Sequence, residues 1–65
     1  MEKTLDLLDD TTLEVRIVWG ASPDHSKVAL KATAEDGRTS AESWMDKEEV
    51  EDLIDLLTQA KNILI

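Results

Sequence analysis

The stretch Asp46-Lys47-Glu48-Glu49-Val50-Glu51-Asp52-Leu53-Ile54-Asp55-Leu56-Leu57 reads as a helix whose start is written into it. Asp46 is a good N-cap and Glu49 stands three residues on, the spacing of a capping box. Met45 and Val50 occupy the staple positions on either side of the cap. From there Val50, Leu53, Ile54, Leu57, Ala60 and Leu64 recur at helical spacing, while Glu48, Glu51, Asp52, Asp55 and Gln59 line the opposite side. The pattern predicts a helix from about Lys47 to about Asn62, with Leu56 and Ile63 on the flank of its apolar stripe.

Upstream, the period changes from 3.6 to two. Leu13, Val15, Ile17 and Trp19 alternate with Glu14, Arg16 and Val18, which is the pattern of a half-buried strand with Trp19 on its inward side. Lys27 to Glu35 alternates again, with Val28, Leu30, Ala32 and Ala34 on one side. Asp36-Gly37 then marks a hairpin turn. Pairing Ala34 with Thr39 sends Ala41, Ser43 and Met45 to the side shared with Val28 and Leu30, and leaves Ser40, Glu42 and Trp44 facing outward. Thr4 to Leu8, followed by the polar run Asp9-Asp10-Thr11-Thr12, predicts an N-terminal hairpin; a frayed end is the competing expectation. Gly20 to Ser26, which carries the only proline, is the one loop of any length.

These elements predict a single α+β domain over residues 1–65. Three or four antiparallel strands form a meander packed against one C-terminal helix, through Val15, Ile17, Trp19, Val28 and Leu30 on the sheet and Val50, Leu53, Ile54 and Leu57 on the helix. A domain of 65 residues and 7.3 kDa has a thin core. Chains this small commonly add disulfides, a metal or a second subunit. Cysteine is absent and histidine occurs once, so neither a disulfide nor a nitrogen-and-sulfur zinc site can be built. Self-association is the remaining means, and a homodimer joined through helix flanks or the outer sheet face is expected. Trp44, Leu56 and Ile63 are its candidate anchors.

Fifteen acidic against seven basic residues give a net charge of -8, which disfavours direct contact with nucleic acid and favours a protein partner with a basic surface. Met1-Glu2-Lys3-Thr4 does not begin a basic region with an apolar run of about 7 to 15 residues, and no stretch has the length of a membrane span, so cytoplasmic residence is expected. Between Asp46 and Asp55 six carboxylates face one lysine. The helix dipole accounts for Asp46, Glu48 and Glu49, but its effect fades within a turn and leaves Glu51, Asp52 and Asp55 over. One reading makes Glu48, Glu51, Asp52 and Asp55 an imitation of a nucleic-acid backbone. The other makes them a solvated face.

Catalytic and cofactor chemistry have little to stand on. His25 lies between Asp24 and Ser26, but neighbours in a loop are not a catalytic constellation. With only Gly20 and Gly37, no glycine-rich phosphate cradle can form, and the acidic run lacks the alternating ligands of a calcium loop. No catalytic, cofactor or metal residue is therefore assigned. The order of strands, acidic hairpin and Trp44-Met45-Asp46-Lys47-Glu48-Glu49-Val50-Glu51-Asp52-Leu53 entering a helix resembles small bacterial and phage proteins. That resemblance implies the size and acidity of phage accessory proteins, inhibitors of host defence among them. The expected function is a non-enzymatic inhibitor or regulator that presents carboxylates to a basic, nucleic-acid-binding protein. The alternative is a structural homodimer whose acidity serves solubility.

Overall fold

A computed structural model describes residues 1–64. Four strands, β1 (Glu2–Asp6), β2 (Thr12–Val18), β3 (Lys27–Thr33) and β4 (Ser40–Met45), form one antiparallel sheet in chain order, followed by the helix α1 (Lys47–Ile63). The N-terminal hairpin exists, so the meander has four strands. Its turn places Asp10 at a φ of 65° and is closed by the Leu7 N–H donating to Thr11 O at 2.9 Å.

Register follows the period-two pattern. On the helix side the sheet carries three rows: Ile17, Val28 and Met45; then Lys3, Val15, Leu30 and Ser43; then Leu5, Leu13, Ala32 and Ala41. The other side carries Arg16, Ala29 and Trp44 in one row and Glu14, Lys31 and Glu42 in the next. The Ala34 N–H donates to Thr39 O at 2.8 Å, closing the expected hairpin, and Gly37 takes a φ of 71° that favours glycine. Gly20 answers a different demand. A Cβ there would sit 2.5 Å from the carbonyl oxygen of His25, because the loop folds back through a short 3-10 turn, Pro23–His25.

Two parts of the expected core differ. Trp19 does not cover the sheet: β2 ends at Val18, the chain turns at Gly20, and the indole is 74% exposed. It instead lines an open hollow of about 380 Å³ beside Ile17, Pro23, Val28, Met45 and Val50. On the helix, Val50 and Leu53 are half-buried, but Ile54 and Leu57 are more than half exposed. The cause is width. Four strands at about 4.8 Å spacing span roughly 19 Å, and a helix is about 10 to 12 Å across. The backbone of α1 accordingly approaches β3 and β4 alone. Ala29, on the side away from the helix, is the one fully buried residue among those described.

Candidate functional site

The capping box predicted from spacing is formed on both sides. The Glu49 N–H donates to Asp46 Oδ1 at 2.9 Å, and the Asp46 N–H donates to Glu49 Oε1 at 3.3 Å. These two carboxylates are thereby occupied in starting the helix, which removes them from the candidate surface.

Glu48, Glu51, Asp52 and Asp55 remain, all exposed. At about 100° per residue they fall within one strip roughly 100° wide, opposite Leu57 and Leu64. Among the described residues both ion pairs belong to Arg16, and none of the four carboxylates joins one or accepts a hydrogen bond. The strip contains like charges at i,i+3 and i,i+4, a spacing that costs an isolated helix about 0.2 to 0.5 kcal/mol per pair. Glu48 in the first turn suits the helix dipole, but Glu51, Asp52 and Asp55 lie beyond it and do not serve the helix's own stability.

The three candidate anchors do not form one surface. Leu56 and Ile63 are 62% and 79% exposed and lie seven residues apart on one flank of α1. Trp44, 58% exposed, is on the opposite side of the sheet, across from Ala29 in the register. Neither the row Leu5–Leu13–Ala32–Ala41 nor the hollows beside it were singled out by sequence reasoning. One open hollow of about 380 Å³ lies against Leu7, Leu13, Ala32 and Ala41. Another, of about 310 Å³, separates Leu53 and Leu57 from Leu5, Leu13, Val15 and Leu30. The available signal was arithmetic: a four-stranded sheet has room for two helices, and the chain supplies one.

His25 Nδ1 lies 2.7 Å from Ser22 Oγ. The two are brought together by the 3-10 turn between them, and His25 is exposed. Elsewhere, the Asp36 carboxylate accepts from the Thr39 N–H at 2.9 Å, the Arg38 N–H at 2.8 Å and the Thr39 hydroxyl at 2.9 Å. These bonds, the Thr39 amide foremost, hold its pKa below the ordinary value. Asp9 is lowered likewise by the Thr11 hydroxyl and amide. Both carboxylates stabilise turns. Among the described residues no three of His, Asp and Glu gather as a metal-holding group, and no helix is long and apolar enough to cross a membrane.

No protein family, curated protein or solved structure matches the chain.

Proposed function

We propose that the chain is a non-enzymatic protein-interaction module, a regulatory or phage-type inhibitor that presents Glu48, Glu51, Asp52 and Asp55 to the basic surface of a nucleic-acid-binding protein. The observation that carries this reading is the strip of four carboxylates, exposed and unpaired among the described residues, on a capped helix. Spacing supports it. From Glu48 to Asp55 the helix rises about 10.5 Å, so the strip averages one charge per about 3.5 Å, in steps of about 4.5, 1.5 and 4.5 Å. One strand of duplex DNA offers a phosphate about every 3.4 Å along the axis. A groove lined with lysine and arginine for a phosphate backbone meets a comparable linear charge on this helix.

The test is competition. Heparin-binding proteins from the native host are passed over the immobilised chain, and added duplex DNA should release what is retained. A chain carrying Glu51→Gln, Asp52→Asn and Asp55→Asn should retain none of it. Equal retention by that variant would end the proposal.

A second reading has its own support. The chain is a self-associating structural module, and its acidity keeps it in solution. What favours it is apolar surface: Leu5, Leu56, Leu57, Ile63 and Leu64 are each more than half exposed. The two readings are compatible for Leu5, Leu57 and Leu64, which lie away from the acidic strip, whereas Leu56 and Ile63 border it beside Asp52.

A further inference from the structure

A compact monomer of 7.3 kDa exposes about 4,200 Å² by the usual scaling with mass. This chain exposes 5639 Å², which is about 1,400 Å² more. Its radius of gyration is 13.5 Å where about 11 Å is usual for 65 residues. The excess exceeds the roughly 800 Å² that each partner contributes to a standard interface and falls in the range of obligate homodimers.

The uncovered surface comes in two complementary pieces. One is the row Leu5–Leu13–Ala32–Ala41, in which all four side chains are apolar and β3 and β4 contribute only methyl groups, leaving a shallow trough. The other is the C-terminal end of α1, where Leu57 is 61% exposed across an open hollow from Leu5 and Leu13 and the capping residue Leu64 is 78% exposed. Each chain therefore carries one trough and one set of bulky side chains, which is what an isologous two-fold contact requires. Charge selects the same arrangement. Two chains of net charge -8 repel, and stacking the outer sides of two helices would bring Glu51, Asp52 and Asp55 of both copies together. Docking through the apolar side leaves the acidic strips in water.

We infer that a second copy of this chain covers the open face: the C-terminal end of each α1 seats Leu57 and the capping Leu64 on the Leu5–Leu13–Ala32–Ala41 row of its partner. This rests on the self-associating reading above and adds the surface that performs it.

Sedimentation equilibrium from about 5 to about 100 µM should give twice the chain mass. Ala41→Glu in the trough and Leu64→Glu at the helix C-cap, both at exposed positions, should each weaken the dimer at least about tenfold, while Trp44→Ser on the other side of the sheet leaves it unchanged. Because cysteine is absent, a chain with Ala41→Cys can be mixed with one carrying Leu64→Cys and oxidised. A cross-linked heterodimer is expected even where a glutamate variant loses its circular dichroism. A wild-type monomer at about 100 µM would overturn self-association altogether. A dimer that survives both glutamates, or fails to cross-link, would overturn this face while leaving self-association standing.

Discussion

The Arg16 guanidinium on β2 donates to the Glu42 carboxylate on β4, crossing β3 beside Ala29. A bond that reaches past an intervening strand needs a small residue there, and Ala29 is both small and fully buried. Arg16 and Trp44 flank it in the register, so the arginine stem and the indole are its natural cover. The best-sealed point of this domain therefore lies on the side of the sheet away from the helix.

Ala29→Leu should destabilise the chain by about 1 to 3 kcal/mol, since the extra methylenes have no space beneath the Arg16–Glu42 bridge. Arg16→Ala should cost less, about 1 kcal/mol, because a pair with this exposure contributes modestly and the rest is lost packing. Urea titration followed by tryptophan emission measures both. A neutral Ala29→Leu would show that the bridge does not constrain that position.

The β3–β4 turn should respond to acid. Its hydrogen bonds depress the Asp36 pKa in the folded chain. An Asp whose folded pKa lies below its unfolded value adds stability that is present above about pH 4 and lost as pH falls through the folded value. The Arg38 and Thr39 amide resonances should titrate in that window, below about pH 4, and lose this step in Asp36→Ala. Amides that do not move with pH would show that the carboxylate does not hold the turn.

Helix initiation depends on Asp46. Removing its side chain in Asp46→Ala leaves the Glu49 N–H unsatisfied and should cost about 1 kcal/mol. The loss should be conspicuous, because α1 has no fully buried residue to compensate for a weak start. Thermal unfolding monitored at 222 nm reads it directly; a melting temperature equal to wild type would count against the cap.

Local signals of this kind were legible in the residues. Asp46 and Glu49 announced the helix, Asp36-Gly37 and the alternation around it announced the hairpin, and parity alone placed Trp44 and Glu42 on the outer side. Trp19 was expected in the core because period two was carried one residue beyond Val18, where β2 ends, and the indole stays exposed at the rim of the helix side. The exposure of Ile54 and Leu57 was hidden for a different reason. Periodicity identifies which side of a helix is apolar, but coverage depends on where the helix lies on the sheet, and α1 approaches β3 and β4 alone with a hollow beneath Leu57. The carboxylates of the strip were all nameable in advance. Their lack of cations was not, because ion pairing depends on the reach of side chains from other strands, and Arg16 is engaged on the far side.

Salt should separate the two uses of surface. Binding between Glu48, Glu51, Asp52 and Asp55 and a basic groove is an attraction between opposite charges, so raising ionic strength from about 0.05 to about 0.5 M should weaken it steeply as the Debye length shrinks. Self-association brings together two chains of net charge -8 through apolar side chains, so the same change should leave the dimer as tight or tighten it. The Glu51→Gln, Asp52→Asn, Asp55→Asn variant extends the contrast, since it should lose the basic partner while dimerising at least as well as wild type. Sedimentation of both chains and partner retention by wild type, measured across that salt range, give three trends: retention falls, and neither dimer weakens. Two trends of the same sign for wild type would mean that one charged surface serves both contacts, contrary to the separation of the acidic strip from the apolar stripe on α1.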